Sequence, residues 1–134
     1  MTTPKVYLAG PINGCSDAEA MNWRNTVHNR LGPGYCLDPM RRDYRGREDD
    51  FASEIVAHDK TDIFNSAIVL ANCSKPGWGT AMEIFYAFSH SKPVVAVIPE
   101  DAPVSPWVRQ HTVRVFTSFF DAVEFVADYL KAIE

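Results

Sequence analysis

The chain has 134 residues, 46% apolar and 22% charged, which is enough apolar material for a real core in a single domain spanning residues 1–134. Its net charge of −4 gives no electrostatic footprint for a nucleic acid polymer, and no stretch approaches the roughly 20 apolar residues of a membrane span. The opening MTTPKVYLAG lacks the charged start and apolar run of a signal peptide, and Cys15, Cys36 and Cys73 are odd in number without CxxC spacing. A cytoplasmic protein with free thiols is expected, with neither a disulfide framework nor a structural zinc.

From Lys5, the run VYLAGPI reads as a short buried strand that stops at Gly10-Pro11 and runs into a loop through Asn13-Gly14. Ser16 with Glu19 is a capping box, and Ala20, Trp23, Val27 and Leu31 give the helix after it an apolar stripe. Gly32-Pro33-Gly34 ends that helix, and Tyr35 to Leu37 is a brief second strand. Asp38-Pro39 then opens the loop MRRDYRGREDD, with four arginines and four acids. Such a mixed-charge loop reads first as solvated surface. Its functional alternative is a lid that brings Arg41, Arg42, Arg45 or Arg47 to a phosphate.

From Phe51 to about Asn65 the pattern is helical, with Phe51, Ile55 and Ile63 on one face. Asp59 falls in the same row. A carboxylate on a core-facing stripe is costly unless partnered or opened on a cavity, so Asp59 is a better site candidate than Asp62.

Ala67 to Asn72 and Lys92 to Ile98 are near-continuous apolar runs, as expected of parallel strands buried on both faces. Between them, KPGWGTAMEIFYAF predicts a glycine turn and a helix opening at about Thr80, with Glu83 in its first turn beside a positive dipole end. The four residues Thr80 to Glu83 also form a capping box, so spacing alone reads Glu83 first as a cap and only second as a reactive group. Ala81, Phe85, Tyr86 and Phe88 leave this helix apolar nearly all round, which predicts a central helix or one packed against a second subunit. After PEDAPVSPW, Val113 to Phe116 reads as an edge strand, and Phe119, Val123, Val126, Ala127 and Leu130 mark a final helix from about Ser118.

This alternation predicts an α/β, Rossmann-like (flavodoxin-like) doubly wound sheet of about five parallel strands in three layers. Ligands bind such sheets beyond the carboxyl ends of the strands. The loops at 10–15, 38–47, 72–80 and 99–106 should therefore converge on one site. Gly77-Trp78-Gly79-Thr80 lacks the GK[ST] of a P-loop, and GxSxG and HExxH are absent. His28, His58, His90 and His111 show no ligand spacing, so neither metal nor cofactor is called for.

VYLAGPI, Asn22-Trp23-Arg24, DPMRRDYRG, Asp59 eight residues before the strand start, and GTAMEI followed by KPVV span most of the chain. In this set of pieces the chain resembles the nucleoside 2-deoxyribosyltransferase superfamily, including the 2'-deoxynucleoside 5'-phosphate N-hydrolases. The resemblance implies cleavage of the N-glycosidic bond of a nucleoside or nucleoside 5'-monophosphate through a covalent sugar intermediate. It puts the family's nucleophilic glutamate on Glu83, which the first turn of a helix should keep ionised, and its supporting aspartate on Asp59. It further implies sugar or phosphate contacts from Tyr7, Gly10, Pro11, Ile12, Asn13 and Gly14, and from Arg42, Tyr44, Gly79 and Thr80. Family habit adds a homodimer. The acidic residue that transferases of this family carry six positions before the nucleophile is here Gly77, and an Asp usual at the strand start is Ala67. Trp78 is proposed to stack on the base in their stead. The arginine loop favours a 5'-monophosphate over a free nucleoside. PGWGTAME also partly echoes the cytokinin-activating phosphoribohydrolases, and a non-catalytic nucleotide-binding module stands as the alternative of a different class.

Overall fold

The computed structural model describes residues 3–134. Among these, five strands, β1 (Val6–Ala9), β2 (Cys36–Leu37), β3 (Ile68–Asn72), β4 (Val94–Val97) and β5 (Arg114–Phe116), pair in the order β2-β1-β3-β4-β5, every neighbouring pair parallel. Each is followed by an α-helix, in turn α1 (Asp17–Leu31), α2 (Ala52–Asn65), α3 (Trp78–Ser89), α4 (Pro106–Gln110) and α5 (Phe119–Ile133). This is the flavodoxin-like order, with the switch point between β1 and β3, and it is the fold class expected from the sequence.

Successive strand residues point to opposite faces, and each face has its own helical layer. Val6, Leu8, Ile68, Leu70, Val95 and Val97 meet Val27 of α1 and Ala122, Val123, Val126 and Leu130 of α5. Tyr7, Ala9, Val69, Ala71 and Val94 meet Ile63 of α2 and Ile84 and Ala87 of α3. Every residue of β1, β3 and β4 is therefore buried, which is why those strands read as continuous apolar runs. Each fully buried Val, Leu or Ile contributes about 1.5–3 kcal/mol. The edge strands β2 and β5 are short and mostly half-buried, which limits the unpaired edge they offer to other chains.

The expected capping box on α1 is formed, with Ser16 Oγ accepting from Glu19 N–H at 3.1 Å and Glu19 Oε1 from Ser16 N–H at 2.9 Å. Gly32, with φ of 88°, takes the chain out of that helix in a conformation other residues adopt at a cost. Two features were not expected. The arginine loop contains two short 3-10 turns, Pro39–Arg41 and Glu48–Asp50. The proline-rich connection after β4 contains α4, with Ser105 as cap and Pro106 at its first position.

Candidate active site

The chain segments leaving β1, β2 and β3 line one cleft of about 1130 Å³, together with faces of α2, α3 and α4. Of the residues singled out in the sequence, Gly10, Pro11, Ile12, Asn13, Arg42, Tyr44, Asp59, Trp78, Gly79, Thr80 and Glu83 line it. Gly14 does not, because at φ 74° it belongs to the turn that leads away into α1. The expected fourth loop, residues 99–106, does not line the cleft either. The helix it leads into does, through Trp107, Val108 and His111.

Tyr7 also departs from expectation. It is wholly buried in β1, does not line the cleft, and its hydroxyl donates to Glu83 Oε2. Its contact is thus with the Glu83 carboxylate, from behind the cleft wall. Burial, followed by the Glu83 charge, pushes the Tyr7 hydroxyl well above its ordinary value of 10.0, which keeps it a donor.

Helix α3 begins earlier than predicted. Gly77 is its cap residue, in an extended conformation, and Trp78 is already helical. Thr80 is therefore not a cap, no capping box forms, and Glu83 sits in the second turn. Gly77 enters the extended cap conformation cheaply, and the Trp78-Gly79 pair does not block the first turn. The macrodipole fades beyond one turn, so its hold on Glu83 is weak. Burial dominates instead and pushes the Glu83 carboxyl up to about 8, with Asp59 adding to the rise and the Tyr7 hydrogen bond and Arg24 opposing it. The expectation of a carboxylate ionised by its helix position is corrected accordingly. The start of α3 carries no side-chain cap, and Thr80 Oγ1, on a residue only 5% exposed, has no hydrogen-bond partner.

On α2, Ile55, Asp59 and Ile63 of the expected row line the cleft, only Ile63 of them is fully buried, and Phe51 is the residue before the helix and does not line it. The Asp59 side chain is 23% exposed, with Arg42 Nη2 3.6 Å from its Oδ1. Burial pushes the Asp59 carboxyl up to about 6 against the pull of Arg42. Asp62 is the more buried of the two and works as a clamp, accepting from Arg41 Nη2 at 2.8 Å and Arg42 Nη2 at 2.7 Å. The remaining loop arginines are engaged as well. Arg45 bonds Asp43 and Asp17, and Arg47 donates to the Asp43 carbonyl and lies over Tyr44 and Phe51. Tyr44 donates to Glu54 at 2.5 Å. The loop is thus pinned by Asp62 and Glu54 of α2, by Asp17 of α1 and by its own Asp43, and each of its guanidinium groups already has a partner.

Sequence reasoning passed over Asp38 and Asp62 and gave Arg24 no role. Arg24 is fully buried on the inward face of α1 and paired with Asp38 at 2.9 Å. The signal was present, since Arg24 lies four residues after Ala20 on the stripe that ends inside the core. Gly10 explains another part of the site. A Cβ there would come 2.5 Å from Cζ2 of Trp23, whose ring is held edge-on to Phe119. Gly10→Ala is expected to cost about 1–3 kcal/mol and lower the melting temperature by several degrees, which a thermal melt checks.

The cleft therefore holds a carboxylate with one oxygen fixed from below, a second acid nearby, and an uncapped helix N-terminus. Such a pair can attack an electrophilic carbon and hand a proton to what leaves it. The sequence pattern of the nucleoside 2-deoxyribosyltransferase family matches residues 6–123. Among solved structures, the 2-deoxyribosyltransferase of Bacillus psychrosaccharolyticus is similar at TM-score 0.74 and 17% identity, over 94% of this chain and 95% of that one. A conserved protein of Enterococcus faecalis V583 gives 0.72 at 18% identity, over 96% and 99%. The CMP N-glycosidase of Clostridium botulinum gives 0.58 at 14% identity, over 93% and 98%. No curated protein matches the chain in sequence. Identities this low speak for the fold, while the family pattern covers all five strands, the helices up to the first turn of α5, and the cleft just described. This chain accordingly belongs to the nucleoside 2-deoxyribosyltransferase family, enzymes of N-glycosyl transfer on nucleosides.

Proposed function

We propose that the protein, acting as one domain over residues 1–134, is an N-glycosidase that cleaves the base–sugar bond of a 2'-deoxynucleoside 5'-monophosphate. Glu83 is the nucleophile and Asp59 the proton donor. The observation that carries this is the Glu83 carboxylate on the cleft wall, with Oε2 held by Tyr7 and Oε1 left for attack. Oε1 bonds to the anomeric carbon as the glycosidic bond breaks. The electron pair of that bond passes to the base nitrogen, and the Asp59 proton follows it to the base. Water, deprotonated by Asp59, then attacks the same carbon and releases Glu83. A second base in place of water turns the same cycle into a transfer.

The 5'-phosphate is assigned to the N-terminus of α3, where unbonded backbone N–H groups, the positive dipole end and the unpartnered Thr80 hydroxyl lie together. The loop arginines are not assigned to it, since each already has a partner. Trp78, 91% exposed at the cleft, is proposed as the surface against which the base stacks. The CMP N-glycosidase among the structural neighbours, which by its name acts on a nucleotide, lends support to a phosphorylated substrate.

A homodimer is part of the proposal. The cleft exceeds the usual range of roughly 300–1,000 Å³ for ligand pockets, and its outer part is lined by Val56, Met82, Phe85 and Trp107, all about half exposed or more. A second copy over α2 and α3 would cover these groups and narrow the cleft to the size of its ligand. Among the described residues no helix is long and apolar enough to cross a membrane, and the three free thiols accord with a cytoplasmic setting.

The test is chromatography of released base from ribo- and deoxyribonucleosides and their 5'-monophosphates, with and without a second base. Release is expected fastest from deoxynucleoside 5'-monophosphates. Binding to the panel without any release would leave a nucleotide-binding module in place of an enzyme.

A further inference from the structure

One charged group at the centre of the molecule is unused by this chemistry. Arg24 is wholly buried, and its guanidinium makes four hydrogen bonds. Nε donates to the Ala20 carbonyl at 2.9 Å, Nη1 to the Leu8 carbonyl and to Asp38 Oδ1 at 2.9 Å each, and Nη2 to the Gly10 carbonyl at 3.1 Å. Leu8 and Gly10 flank the point where β1 gives way to the first cleft loop. Asp38 stands where β2 gives way to the arginine loop, and its Oδ1 also accepts the Met40 N–H at 2.9 Å. One ion pair thus ties α1 to two walls of the cleft.

The Leu8 and Gly10 carbonyls could be satisfied by a neutral amide. A buried guanidinium is far more costly to desolvate, and Asp38 repays that cost only in part. The positive charge therefore calls for a use beyond hydrogen bonding. Its neighbours supply one, since burial raises the carboxyls of both Glu83 and Asp59 and Arg24 opposes the rise at each. Glu83 is faced by Tyr7 from β1, by Asp59 from α2 with Arg42 and Asp62 behind it, and by Arg24 from α1 with Asp38 behind it. Lys60 of α2 and His111, just after α4, line the cleft as well. In this set Arg24 is the one cation that is wholly buried.

Building on the Glu83 assignment above, we propose that Arg24 is a positioning residue. With Asp38 it holds the loop from Gly10 to Asn13 in place and supplies the fixed positive charge that offsets Glu83 and Asp59.

The test is a carbon-13 NMR titration of the glutamate carboxyls in the unliganded protein, the Glu83 signal being identified by its loss in Glu83→Gln. Arg24→Met is expected to move the Glu83 midpoint upward by about one pH unit, because a buried positive neighbour is lost. Arg24→Lys keeps the charge and should hold the midpoint near the wild-type value. It should raise KM with little change in kcat, because the fork on the Leu8 and Gly10 carbonyls is lost. Asp38→Asn is expected to move the midpoint downward, since a negative charge goes while the hydrogen-bonding shape stays. His28 Nε2 lies 3.0 Å from Asp38 Oδ2, so His28→Gln serves as the control for that contact. An unmoved Glu83 midpoint in both Arg24→Met and Asp38→Asn would overturn the proposal, whatever those variants do to stability. If Arg24→Met fails to fold, Asp38→Asn and Arg24→Lys decide it by the same signal. The titration needs no turnover, so a failed base-release panel and a failed role for Arg24 remain separate results.

Discussion

Glu83→Gln is expected to abolish base release, by roughly 10⁴-fold or more, while making the protein more stable at neutral and alkaline pH. The loss follows from chemistry, because an amide cannot form the glycosyl ester. The gain follows from linkage. The Glu83 carboxyl rises from an ordinary 4.5 to about 8 in the folded protein, so the native state holds its proton more tightly than the unfolded chain does. Below about 4.5 both states are protonated and the native carboxyl costs nothing. Between there and about 8 the unfolded chain ionises first, and stability falls as pH rises. Gln carries no such penalty and its Oε1 still accepts from Tyr7. The stability advantage of Glu83→Gln should grow from pH 5 to pH 8 to on the order of 2–4 kcal/mol, discounted for water in the cleft. Thermal melts of both proteins across that range check it, and a variant that is destabilised at pH 8 would contradict the buried-carboxylate account.

The second large effect is on the pH profile. Attack needs Glu83 ionised and departure of the base needs Asp59 protonated, and the two carboxyls lie at about 8 and about 6. They are electrostatically coupled, so kcat/KM should be bell-shaped with macroscopic limbs near those two values. Asp59→Asn should lower kcat by about 10²–10⁴-fold, the usual worth of a positioned acid. It should also simplify the profile. The Asp59 charge raises Glu83, so its removal lets Glu83 ionise at lower pH, and the surviving limb should fall below about 8. Initial rates measured for both proteins from pH 5 to 9 distinguish this from a merely structural Asp59, whose loss would leave both limbs where they are.

Much of this was legible in the residues. The buried strands announced themselves because parallel strands covered on both faces need continuous apolar runs, as VYLA and IVLAN are. The α1 cap was legible because its two hydrogen bonds depend only on Ser16 and Glu19, three residues apart. The start of α3 was misjudged for the converse reason. Thr80 and Glu83 have capping-box spacing, but Gly77 could begin the helix sooner, and the turn after β3 decides between them. Asp59 and Asp62 sit on one helix, and periodicity put the first on the core stripe. The orientation of α2 turned Asp59 to the cleft and buried Asp62 against two arginines from a distant loop.

The sequence by itself determined the sheet, its flavodoxin-like class, the cap of the first helix, and the set of residues from which a site would be drawn. All of these depend on contacts within a few residues or on the balance of apolar and polar positions. Only the tertiary structure decided which of those residues meet. Tyr7 and Glu83 are 76 residues apart in the chain and share a hydrogen bond, and Arg24 reaches across from α1 to the carbonyls of β1. The charge state of Glu83 is likewise a property of the fold, because desolvation outweighs a helix dipole that has faded by the second turn.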